Sequence, residues 1–198
     1  MKLIFFIKSK TVDISNYTIK DTPGSSGRLD VISRCILSAI LDQNAFEKNV
    51  QIWIFLDNYG TFIFEPELFN YNNFPKNEIL LTDYFVDFLQ KFPLNKNLDS
   101  NPLSLIKKSE KRIIDAIKYF RNLKYVIYIL DEKGENFFKL RCKIQERENI
   151  IFIVGSQGGE FIDSKELLAL KLPKISIGTQ LYLASSVIRL LKLHLIAL

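Results

Sequence analysis

Arg28, Asp30 and Arg34 are the residues whose types and spacing most readily suggest chemistry in this chain. They open an apolar-periodic stretch directly after a Gly/Pro-bearing segment, Thr18 to Gly27. A carboxylate there can accept a proton, and a guanidinium can grip a phosphate or a base. A plainer reading stands beside this one: Asp30 and Arg34 are four apart, a helical ion pair worth well under ~1 kcal/mol. The second feature is Gly155-Ser156-Gln157-Gly158-Gly159, which follows the apolar run Ile150 to Val154. Its spacing is not GxGxxG and no GK[ST] follows, so it is neither a dinucleotide fingerprint nor a P-loop. Glycine there either lets a ligand approach the backbone or makes a tight strand-to-helix turn.

Other chemistries are excluded by scarcity. His194 is the only histidine, and Cys35 and Cys142 are the only cysteines. No Cys/His cluster can hold zinc, and a nucleophilic triad would have to be built on His194, whose apolar neighbours mark it as a packed residue. Two distant thiols fit a reducing compartment, and Cys35 reads as core filling. No metal is expected.

The elements that must position these residues follow from periodicity. Leu3 to Ile7 reads as a buried strand, and Thr18 to Gly27 as a loop. Leu29, Ile32, Ile36 and Ile40 recur at helical spacing, with Ser26 as N-cap and an end near Gln43. Gln51 to Leu56, a turn over 57–60, and Thr61 to Phe64 form a hairpin. Thr82 caps a helix through Phe92, which Pro93 stops. A helix from Ser104 to Leu123 presents Ile106, Ile113, Ile117 and Phe120 on one side and Lys107, Lys108, Lys111, Arg112, Lys118 and Arg121 on the rest. That face is either an RNA platform or a solvated surface. Tyr125 to Leu130, Ile150 to Val154 and Ile175 to Ile177 are apolar runs typical of strands buried on both faces. Asp163 and Glu166 resemble a capping box for a helix through Leu170, and a last helix spans Tyr182 to Ile196. Strands alternating with helices imply a largely parallel sheet, and ligands gather at the carboxyl ends of such strands. The turns at Asp131–Gly134, Gly155–Gly159 and Gly178-Thr179 are therefore the expected pocket.

With 198 residues, 47% hydrophobic and 25% charged, the chain is expected to fold as one domain over 1–198. A net charge of +5 and a pI near 9.1 favour polyanionic partners without requiring them. The apolar run between Lys2 and Lys8 is shorter than the roughly 7–15 residues of a signal core, and nothing approaches the ~20 of a membrane span. A soluble, cytoplasmic protein is expected.

Lys20 to Asp30 (KDTPGSSGRLD) with Arg34-Cys35, Tyr128 to Leu130 with Glu132 to Glu135, Ile151 to Gly155, Ile175 to Gly178, and Tyr182 to Ser185 together resemble one family in its own order. That family is the archaeal tRNA (pseudouridine(54)-N(1))-methyltransferases of the SPOUT (α/β-knot) superfamily, and the resemblance covers essentially the whole chain. It implies an α/β knot with a mostly parallel sheet flanked by helices and a trefoil knot over roughly 124–198, the hairpin near 51–64 being an elaboration. It also implies a homodimer, tRNA as substrate, and S-adenosyl-L-methionine as cofactor, leaving as S-adenosyl-L-homocysteine. By position, Leu130, Gly155, Ser176, Ile177, Gly178, Leu183 and Val187 would contact the cofactor, Asp30 would serve as base, and Arg28 and Arg34 would orient the nucleotide. Two positions depart from the family: Ser186-Val187 replaces a usual His-Cys, and Thr179 a usual proline. Contact through packing or a backbone amide survives Val187; a role for a thiol does not. Methylation of a small-subunit rRNA pseudouridine, a non-catalytic RNA binder that keeps the knot, and an unrelated basic α/β enzyme remain open alternatives.

Overall fold

A computed structural model describes residues 1–155, 161–178, 180 and 182–196. Seven strands form one sheet: β1 (Lys2–Ser9), β2 (Val50–Leu56), β3 (Gly60–Phe64), β4 (Lys107–Ser109), β5 (Val126–Asn136), β6 (Asn149–Val154) and β7 (Lys174–Ser176). Their order is β4-β3-β2-β1-β6-β5-β7. The pairs β1–β2, β1–β6, β5–β6 and β5–β7 are parallel, while β2–β3 and β3–β4 are antiparallel. The expected hairpin over 51–64 is the β2–β3 pair.

The helices are α1 (Thr22–Ser25), α2 (Leu29–Ile40), α3 (Glu78–Lys91), α4 (Ile113–Asn122), α5 (Phe137–Gln145), α6 (Lys165–Ala169) and α7 (Ala184–Leu195). They cover both sheet faces, which explains why the central strands are apolar throughout rather than alternating. Leu3, Phe5 and Ile7 of β1 share a core with residues of α2, α3 and α7, whereas Ile4 and Phe6 share the opposite core with Ile113, Ile117 and Phe120 of α4. Because β1, β5, β6 and β7 run in one direction, their carboxyl ends lie on one edge of the sheet.

Two contacts fix the elements that reach that edge. First, α7 is tied to the C-terminal end of α2: the Lys192 ammonium donates to the carbonyls of Ser38 (3.2 Å) and Leu41 (2.8 Å) and lies 3.3 Å from Glu47 Oε2. Those carbonyls belong to a helix end that has no intrahelical donors left to satisfy them. Second, Ile175 of β7 pairs with both Leu130 and Glu135 of β5, so residues 131–134 arch across β7. The arch touches the strand at Gly134, where a Cβ would sit 2.5–2.6 Å from the backbone N, C and Cα of Ile175.

Several element boundaries differ from expectation, each for a local reason. The Thr18–Gly27 loop is helical in part: a 3-10 turn over Ile19–Asp21 runs into α1, capped by Asp21, whose carboxylate accepts from Gly24 N. Ser26 Oγ does accept from Leu29 N (3.0 Å) at the start of α2, but that helix ends at Ile40, where the chain turns back and Leu41 bridges Phe46. Thr82 is not a cap. Asn77 caps α3, accepting from Leu80 N, and Thr82 lies inside the helix, its hydroxyl donating to Glu78 O (2.8 Å) and bonding Ser33 Oγ (2.8 Å).

The helix expected from Ser104 begins only at Ile113. Lys107 and Lys108 instead form the edge strand β4 beside Ile63 and Phe62, so they leave the basic helix face. Ile106 and Ile113 are core residues at a spacing that helix and strand–turn–helix both satisfy, which is why periodicity misassigned them. Ser164, not Asp163, caps α6, and α5 fills a stretch for which the sequence suggested no element.

Candidate active site: a cavity at the carboxyl edge of the sheet

A cavity of about 650 Å³ opens where β1, β5, β6 and β7 end, closed on its other side by the starts of α2 and α7. Sites of roughly 300–1,000 Å³ suit a ligand the size of a nucleoside cofactor. Every residue expected to contact a cofactor lines it: Leu130, Gly155, Ser176, Ile177, Gly178, Leu183 and Val187. Residues 156–159 of the glycine-rich run, with residues 160 and 179, lie outside the described residues.

The wall chemistry is mixed. Leu130, Val154, Ile162, Ile177 and Val187 make an apolar slot suited to a flat heteroaromatic ring. Val187, standing where a cysteine was expected, is 9% exposed and offers packing alone. The turn after β7 is held tight: Ser176 Oγ donates to Gly178 O (2.7 Å) and accepts from Gly178 N (3.2 Å). A Cβ on Gly178 would come within 3.2 Å of the Tyr182 hydroxyl and 3.3 Å of its ring, so the side-chain-free turn preserves room for that side chain at the cavity.

Arg28 and Arg34 line the cavity at the start of α2; Asp30 does not. Asp30 is 2% exposed and accepts from Arg28 Nε (3.0 Å), Arg28 Nη2 (3.1 Å) and Arg34 Nη2 (3.3 Å). This is no surface ion pair. One buried carboxylate holds two guanidinium groups, and Arg34 Nε also lies 2.8 Å from Glu78 Oε2 of α3, a close ion pair without hydrogen-bond alignment. The backbone accommodates the cluster at a cost. Gly27 and Arg28 both adopt left-handed φ, 58° and 72°. A Cβ on Gly27 would sit 1.9 Å from Thr11 O, so only glycine fits, whereas Arg28 carries about 1–2 kcal/mol of unfavourable backbone conformation. Non-glycine strain of this kind concentrates at functional sites.

Sequence reasoning gave no role to three contributors. Asp131 Oδ2 accepts from Lys174 Nζ at 2.6 Å, and both residues line the cavity. The Lys174 hydrogen bond, followed by the Lys133 N–H, holds the Asp131 carboxyl below the usual value for aspartate. Asp131 belongs to the 131–134 segment that the sequence placed at the pocket, without a role for its carboxylate; Lys174 sits at the start of β7 and carried no such signal. Glu78, gripping Arg34 from α3, was equally invisible. The Cys35 thiol lines the cavity but is fully buried, which pushes its pKa up to about 12. His194 packs edge-on against Phe138 (5.1 Å between centroids), as its apolar neighbours suggested.

A family model described as "Putative SAM-dependent RNA methyltransferase" matches residues 1–197. The chain belongs to this family of S-adenosylmethionine-dependent RNA methyltransferases. Among curated relatives, the tRNA (pseudouridine(54)-N(1))-methyltransferase of Pyrococcus abyssi is 28% identical, with 97% of this chain and 96% of the relative covered. The protein of the same name from Thermococcus onnurineus is 28% identical over 96% of this chain and 95% of its own. Among solved structures, Archaeoglobus fulgidus Nep1 bound to S-adenosylhomocysteine superposes with a TM-score of 0.63 at 14% identity, covering 98% of this chain and 97% of that one. The fold of this methyltransferase is thus the mostly parallel SPOUT-type α/β sheet. The cavity fits the family's cofactor on its own evidence: an apolar slot, Gly155 and Gly178 with no side chains in the way, and charges of both signs. Among the described residues, no helix is long and apolar enough to cross a membrane, and no group of three or more His, Cys, Asp or Glu could hold a metal ion.

Proposed function

We propose that this methyltransferase methylates N1 of pseudouridine 54 in the T arm of tRNA. The observation that carries this reading is the junction of two features in one cavity: the turns of the parallel strands, and the Arg28–Asp30–Arg34 cluster delivered by the KDTPGSSGRLD segment. Leu130, Gly155, the Ser176–Gly178 turn, Leu183 and Val187 would hold S-adenosylmethionine, which supplies an electrophilic methyl group. The archaeal relatives' shared name supports tRNA position 54 as the target.

Pseudouridine is bonded to ribose through carbon, so its N1 carries a hydrogen that must leave when the methyl arrives. The chain's main contribution is positioning, which turns a bimolecular displacement into an effectively unimolecular one. Arg28 and Arg34 are oriented for this by a carboxylate they already share. Asp30, beneath them, has three of its roughly four lone-pair sites engaged and does not reach the cavity surface. Its geometry favours aiming the arginines over taking the N1 proton directly. The proton could then pass to water at the cavity mouth.

The same reading includes a homodimer sharing the RNA site, a cytoplasmic setting, and a trefoil knot in the C-terminal part. Exposed Tyr182 and Leu183 at the cavity rim, with Leu193 on α7, offer apolar surface for a partner subunit. The arch of residues 131–134 across β7 supports a threaded chain.

The deciding experiment offers the purified protein S-adenosylmethionine with three RNAs: a T-arm stem-loop carrying pseudouridine 54, the same RNA with uridine, and a small-subunit rRNA hairpin carrying pseudouridine. Mass spectrometry should find N1-methylpseudouridine in the first alone. Preference for the rRNA hairpin, or product in none, would overturn the reading.

A further inference from the structure

A zwitterion bound in a cavity needs an anionic and a cationic group side by side, shielded enough for their charges to count. The methyl donor ends in such a unit, an ammonium and a carboxylate on one carbon. Of the cavity's charged residues, Glu132, Lys133 and Asp163 are exposed to water, which competes for any ion they bind. Arg28 and Arg34 are held by Asp30 at the start of α2, Arg34 also by Glu78, and the proposed function assigns both to the RNA nucleotide rather than to the methyl donor. What remains is Asp131 and Lys174, half-buried with side chains 16% and 33% exposed and 2.6 Å apart.

We infer that the Asp131–Lys174 ion pair is the subsite for the amino-acid end of the methyl donor, Asp131 accepting from its ammonium and Lys174 donating to its carboxylate. The inference rests on S-adenosylmethionine being the ligand of this cavity. Each group has capacity to spare. Lys174 Nζ has three N–H donors, one of them given to Asp131. Asp131 accepts from Lys174 at Oδ2 and from Lys133 N, at Oδ1 (2.9 Å), leaving lone pairs on both oxygens. The pair is pre-formed by two elements that cannot drift apart, since the arch containing Asp131 lies across β7, which contains Lys174. A ligand zwitterion laid against it alternates the four charges, so neither protein group loses its partner as the ligand gains two.

The test compares two ligands by calorimetry: S-adenosylhomocysteine, which keeps the amino-acid end, and methylthioadenosine, which lacks it. In Asp131→Asn and Lys174→Met, affinity for S-adenosylhomocysteine should fall about tenfold or more, while methylthioadenosine binding stays within about twofold. Equal losses for both ligands would make the pair a ribose contact or a structural brace, and no loss for either would make it a bystander; both results overturn the inference. A double variant, Asp131→Lys with Lys174→Asp, restores the ion pair with reversed polarity and guards against unfolding in the single variants. It should keep the wild-type melting temperature and methylthioadenosine affinity yet remain weak for S-adenosylhomocysteine. Full recovery of S-adenosylhomocysteine binding would overturn the proposal. A wild-type protein that binds neither ligand would instead refute the cofactor assignment itself.

Discussion

Asp30 and its two arginines illustrate how burial changes the meaning of a spacing. On an exposed helix the i, i+4 pair would be nearly worthless; here a carboxylate 2% exposed fixes two guanidinium groups at a cavity wall. Asp30→Asn removes the charge that holds both, so methyl transfer should drop roughly tenfold or more in single-turnover assays while S-adenosylhomocysteine affinity is unchanged. If Arg28 meets a phosphate, Arg28→Ala should lower the slope of log affinity for RNA against log salt by about one, read from binding titrations at several salt concentrations. The cysteines give a residue-scale check on the core. Cys35, buried with its thiol pushed up to about 12, should be inert to a thiol reagent at pH 8, and the exposed Cys142 should react, giving one modified thiol per native chain and two after denaturation. The Arg–Asp–Arg pattern was legible in the sequence because all three lie within seven residues. The Asp131–Lys174 pair joins residues 43 positions apart, and local spacing carries no trace of it.

At the scale of elements, α2 and α7 pack side by side and together close one side of the cavity, and Lys192 joins them by supplying donors to the end of α2. Lys192→Met would strand the Glu47 carboxylate and two carbonyls, costing about 3 kcal/mol in urea denaturation. Burial also holds the Lys192 ammonium below its usual value, against the opposing pull of Glu47. The folded chain therefore binds fewer protons than the unfolded one between that lowered value and 10.5, and Lys192 contributes a gain in stability as pH rises through this window. The gain should vanish in Lys192→Met, measured as the difference between the two proteins' pH–stability curves. Helix α2 was readable because Leu29, Ile32, Ile36 and Ile40 keep one period against one core. Strand β4 was not: three residues of edge strand between buried Ile106 and Ile113 leave too short a pattern to break a helical one.

Over the whole molecule, the sheet's parallel centre gathers four strand ends into one cavity, and that much followed from three apolar runs ending at turns. The crossing of 131–134 over β7 did not, since it depends on which strand edge the returning chain reaches. Gly134 marks the crossing point. Gly134→Ala places a methyl group where Ile175 backbone atoms already lie, so thermal denaturation should register a loss of about 1–3 kcal/mol and calorimetry a weakened affinity for S-adenosylhomocysteine. The same crossing bears on one of the two shortest strands of the sheet, both of them at its edges. β7 has three residues and sits at the end of the strand order, the situation in which a strand peels away before the rest of its sheet. Clasped under the arch, it cannot lift off alone, and the Ile175 amide should trade its hydrogen for deuterium as slowly as the central β1 amides do, releasing it only when the entire sheet opens.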